Sequence, residues 1–553
     1  MGRSIVISRR NREVSLILLF LIVAARSDAA IRPLSSGGGP ASGGRGDAFV
    51  TASISEPSNL IPFLASDSAS AEISQLIFNG LVKYDENLKL TGDLAKNWEV
   101  SEEGLKIIFH LRRNVLWQDG APFTAKDVLF TFEKLRDPKV PTPYGAGFEK
   151  VKVMRVLDDY TVEVEYSEPF SPGLASWSMG IIPEHLLSKE NFISTPFSRH
   201  PVGTGPYKLN TWVSGERIVL SANEHYFEGR PNIERYVYRV IPDQGTTFLE
   251  LQTENLDTAP VTPLQFEKQT QTPFFKKNYV PYHWSGMQYA YLGYNLRNQL
   301  FSDKRVRNAI GMAIDKREII QAVFLGRGRV STGPFFHESW ASDLAVVPGV
   351  FDPKKSMKLL KEAGWTDTDG DSFLDKDGRR FSFTIMTNQG NDQRKMTCEL
   401  IQKRLRDIGI ELKIQTVEWN VFLKEFISSR RFDAVLLAWN LTPDPDLYPI
   451  FHSSQTGKGQ FNFLSYQNRE VDGLLEQGRK LFGEEKRAPL YRRIHQILAQ
   501  EEPCTFLYEP ESLTVLHRRF KGVTVTPLGL GYDFIRWFVP RDGQKYKIAL
   551  TDA

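Results

Sequence analysis

The apolar positions of the chain follow two different spacings, and both recur along its length. Alternation in residues 151–156 and 160–166, on either side of two aspartates, predicts a β-hairpin. Residues 234–241, rich in aromatic and β-branched side chains, predict another strand. Between 303 and 324 the apolar residues recur at helical spacing, which predicts one amphipathic helix. These mixed signals predict an α/β protein.

The clearest α/β stretch begins with a helix that ends at Gly409 and is followed at once by a strand at 410–414. A second amphipathic helix around 421–426 then leads to a continuously apolar strand at 434–438. A helix between two strands favours parallel pairing in a sheet that is covered on both faces. Because ligands of open α/β sheets bind beyond the carboxyl ends of the strands, we expect residues 439–446 to bind the ligand.

The N-terminal residues 1–29 have the composition of an export signal. Basic residues precede an apolar run at 14–25, and the small residues Ser27 and Ala29 follow it. About 20 apolar residues are needed to span a bilayer, so this run is too short to favour a membrane anchor. No cysteine lies near the cleavage site, so we expect secretion without lipid attachment. The Gly/Ser-rich segment 30–47 is predicted to be a flexible tether.

Charge and composition exclude several classes of protein. The chain has 553 residues, of which 41% are hydrophobic and 24% charged, which is ordinary for a folded protein of several domains. The first 29 residues carry five basic and two acidic side chains, so the remaining chain has 64 of each. A neutral chain with interspersed charges lacks the basic surface of a nucleic-acid-binding protein, and we expect no nucleic-acid partner.

Cys398 and Cys504 are the two cysteines of the chain. In an oxidising compartment they could form a disulfide. A protein of this size has enough core to be stable without one, and two separate buried thiols are the favoured interpretation.

Sequence motifs of the common enzyme classes do not occur. The nine histidines form no His-Glu-x-x-His pair, and there is no Gly-x-Ser-x-Gly. The Gly-Lys-Gly at 457–459 lacks the spacing of a phosphate-binding loop. We therefore expect no catalytic site and no cofactor. An enzyme that uses carboxylates far apart in sequence, as glycosidases do, is the alternative.

An acidic segment at 367–378 resembles a calcium-binding loop in part. It places Asp367, Asp369, Asp371 and Asp375 at alternate positions, as oxygen ligands for calcium require. The turn glycine and the bidentate glutamate of the EF-hand pattern are both missing. The alternative is a solvated Asp/Gly turn.

Four motifs in the same order resemble the bacterial extracellular solute-binding proteins of family 5, the peptide-binding components of ABC importers. The first comprises LAKNWEVS at 94–101 and FHLRRNVLWQDGAPFTAKDV at 109–128. The others are PVGTGPYKL at 201–209, RVRNAIGMAID at 305–315 and, within 462–475, NREVD at 468–472. Trp98, Trp117, Phe123, Gly120, Gly203 and Gly205 within these motifs are expected to be core and turn residues.

The resemblance implies a periplasmic binding protein of type II-like fold, with two lobes joined by a hinge. Lobe I would comprise 48–75, 200–285 and 511–553, and an accessory domain would be inserted at 76–199. Lobe II would span 286–510. The lobes would close on a ligand and exclude water from it. A monomer that delivers its ligand to membrane permease subunits is implied.

In the peptide-binding members of the family, an Asp three residues after a Trp at a strand end pairs with the ammonium group of the peptide. Trp439 matches the Trp, but Thr442 stands at the Asp position. Asp444 or Asp446 would take over the ammonium, or the ligand would lack one. Tyr289, on the expected neighbouring strand, could contact the ligand or belong to an ordinary strand face. The candidate ligand-binding residues are Trp439, Asn440, Thr442, Asp444, Tyr289 and Tyr291.

A short peptide is the expected ligand, captured in the periplasm. Relatives of this fold also carry nickel chelates, haem, oligosaccharides or opines, which stay open as alternatives. A secreted enzyme or adhesin of the same fold is the alternative from another functional class.

Overall fold

The computed structural model describes residues 44–546, so the predicted export signal and most of the predicted tether lie outside the described residues. The strands of this range are β1 Ala48–Ser53, β2 Val82–Tyr84, β3 Leu90–Gly92, β4 Ala95–Val100, β5 Lys106–Leu111, β6 Val151–Asp158, β7 Thr161–Tyr166, β8 Tyr207–Val213, β9 Arg217–Ala222, β10 Arg235–Val240, β11 Thr258–Pro260, β12 Tyr279–Ser285, β13 Gln288–Tyr294, β14 Gly328–Val330, β15 Asp375–Lys376, β16 Arg379–Arg380, β17 Ser382–Asn388, β18 Glu411–Val417, β19 Ala434–Asn440 and β20 Cys504–His517. The α-helices are α1 Ser68–Ile77, α2 Ala125–Arg136, α3 Gly173–Ser176, α4 Glu184–Leu187, α5 Gln244–Gln252, α6 Pro263–Lys268, α7 Pro273–Asn278, α8 Lys304–Ala313, α9 Lys316–Phe324, α10 Pro353–Glu362, α11 Asp392–Arg406, α12 Trp419–Val421, α13 Tyr448–Phe451, α14 Arg469–Lys480 and α15 Glu484–Glu501.

Lobe I is built on a four-stranded sheet in the order β1-β10-β9-β8. The strand predicted at 234–241 is β10, which pairs in parallel with β1 and antiparallel with β9. About 180 residues separate β1 from β10 along the chain, because the accessory domain lies between them. The C-terminal segment returns to this sheet, where Phe534 and Trp537 pack on Phe49.

The accessory domain carries an antiparallel sheet in the order β4-β5-β7-β6. Its last two strands are the predicted hairpin, paired from Val151↔Tyr166 to Asp158↔Thr161. The buried side chains of this sheet, such as Phe109 and Val162, belong to one apolar core that continues into lobe I. The lobe and accessory-domain boundaries given above stay a prediction.

Lobe II contains the mixed sheet in which β17 pairs in parallel with both β18 and β19. The strands predicted to pair in parallel across the 421–426 helix, β18 and β19, do run parallel in one sheet, but they do not pair directly because β17 lies between them. Two separate apolar cores cover the two faces of this sheet, one around Leu436 and one around Leu437. Burial on both faces explains why β19 is apolar without alternation.

Two stretches of chain connect lobe I with lobe II. Strand β20 has 14 residues: Cys504–Tyr508 pair with β13 of lobe II, and Glu511–His517 pair with β12 of lobe I. Strands β12 and β13 are themselves consecutive and are separated by Gly286 and Met287. These two connections lie side by side, as in a hinge.

Three local predictions need correction. The helix predicted between 303 and 324 is two helices, because the chain leaves the helix at Ile314 and Asp315 accepts hydrogen bonds from the first amides of α9. Helix α11 ends at Arg406 rather than at Gly409. The helix expected around 421–426 is the short α12, continued by one turn of π-helix at Phe422–Ile427.

Ordered packing begins before the predicted end of the tether at 47. Asp47 is 1% exposed, and its carboxylate binds the guanidinium of Arg519. Arg519 also donates to Asp257, 2.7 Å away, so three charges are buried together. A contact between positions 472 residues apart has no local sequence signal.

Cys398 and Cys504 are both buried free thiols, which confirms the favoured interpretation over a disulfide. Of the motif glycines, Gly120 adopts the left-handed conformation expected of a turn, with φ of 92°. Gly203 instead allows a close backbone approach, since a Cβ there would lie 1.8 Å from the carbonyl oxygen of Ile77. Within residues 44–546, the helices are too short or too polar to cross a membrane.

Candidate functional site

A cleft of about 1300 Å³ lies where lobe I, the accessory domain and lobe II meet. Helix α1 contributes from lobe I, and residues around Tyr144 contribute from the accessory domain. Lobe II contributes the segments that follow three strands of its sheet. Arg394 comes after β17, Trp419 and Asn420 come after β18, and Trp439 closes β19. The cleft therefore lies beyond the carboxyl ends of parallel strands, as expected for an open α/β sheet.

The segment 439–446 lines this cleft, as its position after β19 predicts. The ring of Trp439 meets the ring of Phe461 edge-on at 5.5 Å, and Phe461 in turn meets Tyr144 at 5.4 Å. This row of rings connects lobe II with the accessory domain across the cleft. It forms an apolar wall against which a ligand can pack.

Thr442 and Asp444 also line the cleft, but both are engaged in contacts of their own. The Thr442 hydroxyl donates to the carbonyl oxygen of Asp444 at 2.6 Å. The Asp444 carboxylate accepts two hydrogen bonds from Arg487, at 2.7 and 2.9 Å. Asp446 is likewise held by the guanidinium of Arg479, at 2.8 Å. Both aspartates offered as partners for a ligand ammonium are therefore already neutralised.

Of the two candidate tyrosines, Tyr291 lines the cleft with 1% of its surface exposed. Tyr289 is fully buried in the core of lobe II behind Trp439, its partner across the strand pair, and does not line the cleft. Tyr289 is packed because strand β13 lies between two other strands of the sheet, and contact between Tyr289 and the ligand stays a prediction. Ligand binding by the other candidates stays a prediction.

The sequence analysis missed four polar residues that line the cleft. The Nε1 of Trp419 and the Oδ1 of Asn420 are buried and have no hydrogen-bond partner among residues 44–546. Within residues 44–546, the guanidinium of Arg394 donates a hydrogen bond only to the amide oxygen of Asn388, at 2.7 Å, and burial lowers the pKa of this guanidinium. Ligands of open α/β sheets bind beyond the carboxyl ends of the strands, which is why residues 439–446 were expected to bind. The same reasoning applies to the segments after β17 and β18, so it could have identified Arg394, Trp419 and Asn420.

Glu72 is the fourth cleft residue that the sequence analysis missed. It lies on α1, and its carboxylate accepts a hydrogen bond from the Tyr236 hydroxyl at 2.7 Å. Desolvation by the surrounding protein raises the pKa of Glu72, and the Tyr236 hydrogen bond opposes this effect. A lone glutamate on an amphipathic helix gives no sequence signal of a site.

The acidic loop lies away from this cleft. Carboxylate oxygens of Asp367, Asp369 and Asp375 lie within 4.8 Å of one another, whereas Asp371 pairs with Arg380 instead. Backbone amides of the loop also donate to these aspartates, as in a tight Asp/Gly turn. Three of the four predicted ligands are brought together, and calcium binding stays a prediction.

Comparison with known proteins places the chain in a family. Residues 89–460 match the model of the bacterial extracellular solute-binding proteins, family 5 Middle. The oligopeptide-binding protein AppA of Bacillus subtilis is 33% identical over 92% of this chain and 93% of its own length. The heme-binding protein A of Haemophilus influenzae is 27% identical over 92% of this chain and 95% of its own length.

Solved structures agree in fold. AppA of B. subtilis in complex with a nonapeptide superposes with a TM-score of 0.86 and 32% identity, covering 90% of this chain and 99% of AppA. NikZ of Campylobacter jejuni in complex with Ni(L-His) gives 0.81 and 29%, covering 89% and 99%. The two-lobed fold is thereby confirmed, and the chain belongs to the bacterial extracellular solute-binding proteins of family 5.

Proposed function

We propose that this protein captures a short peptide in the cleft between its lobes and delivers it to an ABC-type import permease. The observation that carries this proposal is the open edge of strand β19 in the cleft wall. Strand β19 pairs with β13 over its whole length, to Asn440, but with β17 only at Ala434 and Val435. Its last residues therefore have one edge without a neighbouring strand among those described.

An extended peptide is a natural partner for such an edge. Peptides bind by adding a strand to a sheet, with main-chain hydrogen bonds for affinity and side-chain pockets for specificity. The residues Ala438, Trp439 and Asn440 at the open edge all line the cleft. Main-chain recognition would also suit a transport protein, because it does not depend on the peptide sequence.

The size and charge of the cleft support the same ligand class. A volume of about 1300 Å³ exceeds the roughly 300–1,000 Å³ of ordinary small-molecule pockets. The guanidinium of Arg394 lines the cleft and has no carboxylate partner within 4 Å in the described range. A terminal carboxylate would supply one. The similarity to AppA, which was solved with a nonapeptide, also supports a peptide.

Export across the membrane and delivery to a permease complete the proposal. The family is extracellular by description, and the composition of residues 1–29 is typical of an export signal. Hinge closure would present the loaded protein to permease subunits in the membrane. Deletion of the gene should abolish uptake of the peptides that the purified protein binds.

Calorimetry with the purified protein tests the ligand class. One arm uses a pentapeptide, and a second uses the same pentapeptide with alternate amides N-methylated. Ni(L-His) and haem form the third and fourth arms. We expect binding of the unmodified peptide and at least about 10-fold weaker binding of the methylated one, since each lost main-chain hydrogen bond removes about 1 kcal/mol. Binding of Ni(L-His) or haem without any peptide binding would refute the proposal.

A further inference from the structure

Four carboxylates line the cleft, and three of them already have partners. Asp67 caps helix α1 and accepts hydrogen bonds from the amide and the hydroxyl of Ser70. The other two were described above: Asp444 is bound to Arg487, and Asp446 to Arg479. The arginines neutralise Asp444 and Asp446, and the oxygens of the buried Asp67 are occupied by the Ser70 amide and by the hydroxyls of Ser58 and Ser70.

Glu72 differs from the others. Its carboxylate accepts a hydrogen bond from the Tyr236 hydroxyl, a neutral donor, and no lysine, arginine or histidine nitrogen of residues 44–546 forms an ion pair with it. The side chain lines the cleft on the exposed face of α1. Desolvation by neighbouring protein raises the pKa of this carboxyl group, although part of the residue is open to solvent. A desolvated carboxylate without a cation gains strongly from one, because charge-assisted hydrogen bonds are about twice as strong as neutral ones.

Among the described residues, the cleft thus holds Glu72 on lobe I without a cation partner, and Arg394 and the exposed Lys424 on lobe II without a carboxylate partner within 4 Å. The loop after β19 adds no free charge, because its aspartates are paired and the Thr442 hydroxyl is used within the loop. A ligand that carries an ammonium and a carboxylate matches this arrangement. Burial of an ammonium without a carboxylate partner would be costly.

We infer, on the basis of the proposed peptide-binding function, that Glu72 binds a primary ammonium group of the ligand. The Tyr236 hydroxyl holds the carboxylate in place, so that Glu72 acts as the anionic end of the site. The ammonium comes from the N-terminus of the peptide or from a lysine side chain. Both sources present the same chemistry to Glu72, and the experiment separates them.

The test uses two random pentapeptide libraries of the same composition, one with free amino termini and one N-acetylated. The probes are incubated with the wild-type protein and with Glu72→Gln, and the retained peptides are quantified by mass spectrometry. Glu133→Gln is the matched control, because Glu133 is an exposed helical glutamate outside the cleft. Thermal unfolding of each variant verifies that it is folded.

We expect the wild type and Glu133→Gln to retain free-amine peptides at least about 10-fold better than acetylated ones, and Glu72→Gln to lose this preference. If instead the wild type retains lysine-containing peptides from the acetylated library and Glu72→Gln does not, the ammonium comes from the side chain. An unchanged preference in Glu72→Gln, or an equal loss from both libraries that does not depend on lysine, would overturn the inference. Failure of the wild type to retain any peptide would refute the proposed function itself, before Glu72 is considered.

Discussion

Arg479 joins lobe II to the accessory domain, and its replacement should loosen the closed cleft. The residue lies on α14 with 3% of its side chain exposed. Within lobe II it binds Asp446 and stacks on the ring of Tyr448 at 3.9 Å. Across the interface it donates to the carbonyl oxygen of Ala146 at 3.2 Å and pairs with Glu149 at 3.4 Å.

The magnitude follows from the two contacts that cross the interface. A hydrogen bond from a charged donor contributes about 1.5 kcal/mol at the low end of its range. The ion pair with Glu149, which is one-third exposed, adds about 0.5 kcal/mol after screening by solvent. Their loss should reduce the equilibrium constant for closure by about 30-fold.

Arg479→Lys is the variant of choice. A lysine keeps a cation beside Asp446, so no buried aspartate is left alone, but it lacks the planar fork that serves both sides of the interface. Arg493→Lys is the matched control, since Arg493 lies on an exposed helix face and its partner Glu470 is exposed too. Arg479→Ala would also destabilise the fold, by about 3 kcal/mol, and so would not separate an effect on cleft closure from an effect on folding stability.

Closure can be followed by energy transfer between fluorophores at Lys189→Cys, on the accessory domain, and Lys413→Cys, on lobe II. Both lysines are exposed, and the two native thiols are buried and so do not compete for the label. We expect Arg479→Lys to enrich the open population and to weaken binding of peptide ligands by up to about 30-fold. Equal energy transfer and equal affinity in Arg479→Lys and Arg493→Lys would refute the reasoning.

Two further predictions concern stability. Gly203→Ala should lower the free energy of unfolding by about 3 kcal/mol or more in chemical denaturation, because the added Cβ would lie 1.8 Å from the Ile77 carbonyl oxygen. Gly473→Ala, on a helix with open space around it, should instead raise the free energy of unfolding by up to about 1 kcal/mol. Similar effects of the two substitutions would contradict the packing described for Gly203. Burial raises the pKa of Glu509 to about 7 against the opposing charge of Arg329, so the folded state binds the proton more tightly than the unfolded chain and stability should fall as the pH rises from about 4.5 to 7. Glu509→Gln should remove most of this pH dependence, which amounts to about 3 kcal/mol in the free energy of unfolding between pH 4.5 and 7. A plot of unfolding free energy against pH that runs parallel to that of the wild type would contradict the raised pKa of Glu509.

The local sequence determined those helices and strands whose apolar residues recur at a regular spacing over a few residues. The hairpin at β6 and β7 follows from alternation, and the parallel direction of β18 and β19 follows from the helical segment between them. The position of the cleft beyond β19 could be predicted for the same reason, because the direction of a parallel strand fixes the end at which loops gather. That β17 lies between β18 and β19 was decided by the tertiary structure. The break between α8 and α9 was missed, because a helical spacing continues through Ile314 although Asp315 begins a new helix.

Only the tertiary structure decided which polar side chains of the cleft are free. Sequence alone cannot show that Asp444 is neutralised by Arg487, 43 residues further along the chain. Nor can it show that Glu72 and Arg394, from different lobes, line one cleft without charged partners. Charge compensation depends on distance in space, and the fold sets that distance through packing that spans hundreds of residues. The sequence therefore determined where the cleft lies, whereas tertiary contacts decided which of its charges have no charged partner.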